Sequence, residues 1–429
     1  MKMNKLMTGA FALTVATSAT LPAFADGETP PPPVVSDVTM TQANDRKVTI
    51  NYTLADGPAV ITLDVQTNAT PNAAADDPGW TSIGGEAIWN AAGDVWKKVE
   101  GDTTHTITWR PDQSWPGHKI TGNGARAVVT AWATNNTPDY MVVDLIASES
   151  VRFYPAADFL PKSAYDQAGA AVTNNLAFKT SKIVMRKIMA ANVPWIMGTS
   201  ETEVARSANE TAHEVTLTDN FYIGIFEVTR KQWGYVNGTT VTEGQEALPA
   251  NNNYPSTNII GDNNFLGKLN AKTGLAFTLP AEAQWEFAAR AGHGDGYWGD
   301  GTRLNLVYYK TVNSSKHYTD ANLDNYGRYR YSSVGGNSLA EVGSYHPNSW
   351  GLYDMAGNLK EWCLDMYVMD ITGNSDGHVM TGGSASTGYV LRGGGYNQPA
   401  QQARPGWRGN YNASNEGFGF RVTCPVGIQ

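Results

Sequence analysis

Between Val38 and about Phe153 the chain repeats one device: short runs that alternate apolar and polar residues, broken by turn formers. The runs are KVTINYTL, AVITLDVQ, THTITWR, RAVVTAWAT, YMVVDLIA and SVRFYP, with pieces such as ADGP, NAAGD and TGNG between them. A period of two turns every second side chain to the same face, and none of these runs carries the three-to-four spacing of a helix. Six such segments therefore specify an antiparallel β-sandwich of immunoglobulin or fibronectin type over residues 37–155. No cluster of catalytic residue types falls inside it, which makes it a spacer or adhesion domain.

The remainder is too long to join that core. Single cores rarely grow past ~250–300 residues, so 429 residues imply two domains. Ahead of the sandwich, residues 1–25 place Lys2 and Lys5 before an apolar run that ends in Ala23-Phe24-Ala25, the pattern of a signal peptide cut after Ala25. In a bacterial cell this means export, leaving the protein periplasmic or extracellular. Removing two lysines and no acid takes the net charge from −9 to −11. An acidic protein without a basic block is a poor nucleic-acid binder, and no later segment is long and apolar enough to span a bilayer. Residues 26–36, DGETPPPPVVS, read as a stiff proline-rich linker, and residues 156–180 as a connector to a second domain at 181–429.

In that second domain helix signals appear with their caps. Thr229 and Gln232 form a capping box before KQWGYV, with Gly238 as the stop. In TLPAEAQWEFAARAG, Pro280 suits the first helical turn, Glu282 faces the positive end of the dipole, and Gly292 ends the helix. Beyond Gly292 the chain is dominated by Gly, Asn, Tyr and Trp, the texture of long loops around a small sheet.

Four stretches carry a family resemblance, in order: IVMRKIMAANVPWIMGTSETEVARSANETAHEVTLTDNFYIGIFEVTRKQW, LPAEAQWEFAARAG, NSWGLYDMAGNLKEWCLD and VLRGGGYNQPAQQARPGWRGNYNASNEGFGFRV. Together they resemble the sulfatase-modifying factor, or formylglycine-generating enzyme, superfamily over roughly residues 182–424. The resemblance implies an α+β, C-type-lectin-like domain with little regular structure. Its enzyme members oxidise a substrate cysteine with a pair of cysteines that bind Cu(I), a soft ion that thiolates select. Aligned on Tyr396, the cysteine positions hold Gln398 and Ala403, so copper is not expected. What is left is a surface of amides, aromatics and arginines, with Arg392, Tyr396, Asn397, Gln398, Arg404, Trp407 and Arg408 expected to bind a polar ligand or an exported protein. The alternative for the arginines is pairing with acids such as Glu361 or Asp365.

The segment YDMAGNLKEW also suits a hard cation: Asp354 and Glu361 bring carboxylate oxygens, and Gly357 and Leu359 bring carbonyls. The resemblance implies structural calcium there; a second family site would use Asn322 and Leu323, without a clear remaining ligand set. Variable proteins of diversity-generating retroelements are similar in fold and vary in the closing segment, where Asn397, Asn410, Asn412 and Asn415 lie. Cys363 and Cys424, the only two cysteines, could form one bridge or remain buried thiols, with Cys424 facing inward in the phase of Phe418, Phe420 and Val422. The seven histidines contain no i, i+4 pair of the metalloprotease kind. The leading expectation is thus a binding protein on an oxidase scaffold, with a formylglycine-generating oxidase and a structural surface protein as rivals.

Overall fold

The computed structural model describes residues 31–428 apart from 71, 102, 120–122, 162–173 and 333–336. The expected signal peptide, the start of the linker and much of the connector lie outside the described residues.

All six runs form strands: Val48–Ala55, Ala59–Thr67, Thr103–Trp109, Ala125–Ala133, Tyr140–Asp144 and Val151–Tyr154. In Val48–Ala55 the alternation becomes burial, with Val48, Ile50, Tyr52 and Leu54 inside. A further strand, Val34–Gln42, precedes them, so the proline-rich linker ends before Val34 rather than at Ser36. Its residues are mostly exposed because it is the outer strand of its sheet and pairs only with Val48–Ala55, which is why its polar sequence hid it. One antiparallel sheet runs Val34–Gln42, Val48–Ala55, Thr103–Trp109, Ala92–Gly93; a second joins Ala59–Thr67 to Thr81–Ser82, Lys98–Val99 and Ala125–Ala133. Ile50, Tyr52 and Ile107 from the first share one apolar core with Ile61, Leu63 and Val129 from the second.

The boundary at 155 needs correction. Tyr140–Asp144 and Val151–Tyr154 leave the N-terminal sheets and open a five-stranded antiparallel sheet that continues through Lys182–Ile188, Phe221–Gly224 and Thr423–Pro425. The physical reason is in the side chains: Tyr140, Met141, Val142 and Val143 are all buried in succession, as a strand covered on both faces requires. Val142 packs into the core shared with the N-terminal sheets, and Met141 and Val143 pack into the C-terminal one.

Helix Arg230–Asn237 has the expected capping box, and Gly238 ends it at φ 71. Helix Glu282–Arg290 starts after Pro280, with Gln284 bonded back to the Ala281 amide, and it is Ala291, at φ 49, that takes the left-handed stop expected of Gly292. A four-stranded sheet, ordered Gly409–Tyr411, Tyr389–Arg392, Lys360–Met366, Phe418–Gly419, carries the region singled out by sequence. Among the described residues no helix is long and apolar enough to cross a membrane. Cys363 and Cys424 are both buried free thiols, set in different apolar clusters.

Candidate functional site

Strand Lys360–Met366 divides the site. Its period of two sends Glu361, Cys363 and Asp365 to one side and Lys360, Trp362 and Leu364 to the other.

On the Glu361 side the arginines are interior groups. Arg421 grips Glu361 with two bonds of 2.6 Å, and Trp285 Nε1 donates to the same carboxylate at 2.7 Å. Arg408 donates to Glu282 at 2.6 and 2.8 Å, and Arg404 to Glu210 at 2.8 and 2.9 Å with Glu203 alongside at 2.5 Å. Arg392 pairs with Glu286 and also donates to the Trp407 carbonyl. The exposure of Arg392, Arg404 and Arg408 is 3% or less, so these three lie beneath the surface they were expected to form. Each is occupied in cancelling a glutamate that the fold buries, because an unpaired buried charge is far costlier than a paired one. Their partners, Glu282, Glu286, Glu203 and Glu210, stand far away in sequence and differ from the acids anticipated.

The metal positions are brought together only in part. Asp354 is buried; its Oδ2 accepts from the Gly343 amide at 2.7 Å and its Oδ1 has no hydrogen-bond partner. Burial, chiefly, lifts its carboxyl to about 6. Glu227, which the sequence reading missed, is pushed well above the usual carboxylate range by burial and by Asp354 and Glu361 beside it. It accepts from the Asn358 side chain at 2.7 Å and from the Leu359 amide at 3.0 Å. Gly357, at φ 90, is needed for packing: a Cβ there would lie 2.1 Å from the Arg328 carbonyl oxygen. With both Glu361 oxygens held by Arg421, the four positions Asp354, Gly357, Leu359 and Glu361 do not fit a calcium cage in this arrangement. At the second position Asn322 bonds to the Arg303 carbonyl at 2.7 Å, and the Leu323 carbonyl already accepts from Tyr326 and Gly327. Among the described residues no group of three or more His, Cys, Asp or Glu could hold a metal.

Above the arginines, Tyr396, Asn397, Gln398 and Trp407 are half-buried. The backbone fixes them: the Tyr396 amide donates to the Asn358 carbonyl at 2.8 Å, and the Gln398 carbonyl accepts from the Arg330 amide at 2.8 Å. Gly394, at φ 68, lets this turn pass the backbone of Gln402 and Ala403, where a Cβ would sit at 2.7 Å. Of the two positions that the sequence reading aligns with the family's cysteines, Gln398 is half-buried and Ala403 is buried.

Lys360 belongs to this site although the sequence reading passed over it. Its ammonium lies 5.0 Å from the centre of the Trp407 ring and 5.7 Å from that of Phe418, and burial pushes its pKa down to about 8. No hydrogen bond or ion pair holds its Nζ among the described residues. The signal was available: in LKEWCLD, Lys360 shares the phase of Trp362 and Leu364, so a strand here sets a cation on an apolar face.

A mostly β domain with few helices, knit by buried arginine–glutamate pairs under a glycine-rich turn, defines the class. Residues 185–425 match the FGE-sulfatase family, described as a sulfatase-modifying factor enzyme 1-like domain; the match covers more than half of the chain, and the chain belongs to that family. It is 33% identical over 155 residues to the serine/threonine-protein kinase pkn1 of Chlamydia caviae, covering 35% of this chain and 21% of that one. It is 35% identical over 127 residues to the formylglycine-generating enzyme of Streptomyces coelicolor, covering 28% and 35%. The chain thus spans about a fifth and a third of these curated relatives. Among solved structures, PvdO from Pseudomonas aeruginosa aligns with 25% identity and a TM-score of 0.46 over 57% of this chain and 95% of that one.

Proposed function

We propose that this chain is a non-oxidase member of its family that binds a polar ligand or an exported protein on the surface formed by Tyr396, Asn397, Gln398 and Trp407. The observation that carries the reading is the condition of its thiols. Gln398 and Ala403 stand at the aligned cysteine positions, and burial raises Cys424 to about 12 and Cys363 well above the ordinary thiol value. Copper(I) is held by thiolates, and neither cysteine is placed to offer one. The proposal takes the N-terminal region as an immunoglobulin-type sandwich, the C-terminal region as C-type-lectin-like, and the protein as exported.

Calcium enters the proposal as a structural ion with a ligand set other than the four positions read from the sequence, Asp354 Oδ1 being its free carboxylate oxygen; the pairing of Glu361 with Arg421 leaves Glu361 out of that set. One equivalent of calcium in the purified protein supports that role, and none removes it.

The deciding experiment is a Cu(I) titration with an oxidation assay on a CxPxR peptide, beside a glycan and peptide array probed with wild type and Tyr396→Ala. No copper, no oxidation and array binding lost in Tyr396→Ala is the expected result. Tight copper with turnover overturns it.

A further inference from the structure

We infer that the surface at Lys360, beside Trp407 and Phe418, is a carboxylate-binding subsite, with Lys360 as the residue that selects an anionic group on the ligand. The inference rests on the binding role proposed above and adds the chemical class of what is bound.

The first observation is a missing counter-ion. Arg392, Arg404, Arg408 and Arg421, the cations of the same sheet and its closing segment, each meet a glutamate. Lys360 is the exception: its Nζ has neither a carboxylate nor a hydrogen-bond acceptor among the described residues. The second is its setting. The ammonium lies over the faces of Trp407 and Phe418, and Tyr411, itself exposed, packs edge-on to Phe418 at 5.2 Å. A lysine on a surface normally extends its charge into water; here the strand register and the aromatic walls hold it partly desolvated, which costs stability in the free protein. Burial alone accounts for the weakened basicity of the amine, as expected where no acid is near.

The third observation concerns fit. Gly395, in the turn that carries Asn397, runs close to the backbone of Lys360: its ideal Cβ position is 3.6 Å from the Lys360 amide and 3.6 Å from the Asn397 side-chain oxygen. One ammonium over two aromatic faces matches a single negative charge on a planar group. A phosphate dianion would call on a guanidinium as well, and every guanidinium of this segment is engaged with a glutamate. The carboxylate could belong to a free small acid or to a glutamate or aspartate in a peptide; the shared chemistry is the carboxylate.

The test uses the full chain with its lysine side chains isotopically labelled, the Lys360 resonance being assigned by its loss in Lys360→Arg. Sodium acetate is titrated against sodium chloride at equal ionic strength, followed by acetyl-Gly-Glu-Gly-amide and its glutamine counterpart. The expected result is a saturable shift of Lys360 with acetate and none with chloride. The glutamate peptide should bind ~10-fold tighter than the glutamine peptide, a preference that Lys360→Met abolishes and Lys360→Arg keeps. A glutamate peptide no tighter than acetate supports the subsite and makes a small acid its source. A Lys360 resonance indifferent to both acetate and the glutamate peptide overturns the subsite, as does a preference that survives in Lys360→Met. Array binding that needs Tyr396 but ignores Lys360 would leave the wider binding role intact while this inference fails.

Discussion

The N-terminal sheets and the C-terminal domain bury their interiors by different means. In the first, alternating Val, Ile, Leu and Tyr meet across two sheets, and charge stays near the surface. In the second, Arg392, Arg404, Arg408 and Arg421 lie deep inside, each matched to a glutamate from a distant segment. An apolar core tolerates loss by degrees, whereas a buried ion pair is costly when one partner goes. The second region therefore trades forgiveness for a fixed geometry of loops that have little regular structure of their own.

The sharpest way to break this comparison is to cut the chain. A polypeptide that starts at residue 156 lacks the two strands that open the five-stranded sheet and should fail to fold, while one that starts at residue 135 should give dispersed NMR spectra and cooperative melting; equal behaviour would reinstate a boundary at 155. Next in size is Arg404→Met, which strands Glu210 in the interior and should cost about 3–5 kcal/mol in urea unfolding. Its counterpart Ile50→Ala, in the N-terminal core, should cost about 2–5 kcal/mol. If Arg404→Met cost under about 1 kcal/mol, the pair would be behaving as a surface one.

The pH response should separate the regions too. Glu203 and Asp365 are both raised to about 7, chiefly by burial. The folded state therefore keeps protons that the unfolded chain has released, and stability falls as pH climbs from the ordinary carboxylate range to about 7, then levels. Between pH 5 and 8 the C-terminal region should lose on the order of 1–3 kcal/mol, whereas among the described N-terminal acids outside the shared hairpin only Asp64 is shifted upward. A C-terminal transition that is flat or rises over that window contradicts the assignment. The smallest effect is Lys360→Met, which removes a desolvated charge and should raise stability by about 1 kcal/mol, read from the urea midpoint; a loss would mean that the amine has a partner in the free protein.

How much could be read in advance follows from the same contrast. Strands such as Val48–Ala55 and the capping box at Thr229 are local patterns, and both are where the sequence puts them. Val34–Gln42 was missed because an outer strand need not alternate. The unbroken apolar run Tyr140, Met141, Val142 and Val143 was a visible sign of a strand covered on both faces, but alternation in its neighbours masked it. Arg404 and Glu210 are 194 positions apart, and no spacing rule pairs such residues, so arginines that compose like a ligand surface proved to be interior. Lys360 was legible in principle, since its phase with Trp362 needed only the strand to be recognised.

The hairpin 140–154 also has a genealogical consequence. A recombination event that grafts this family's domain onto another leader must carry the hairpin with it or supply a replacement of equal apolarity on both faces. The natural seam for exchange is the turn before Tyr140, where Thr134 and Asn135 end the N-terminal sheets, and relatives with other leaders should preserve two strands of this kind immediately upstream of their matched region.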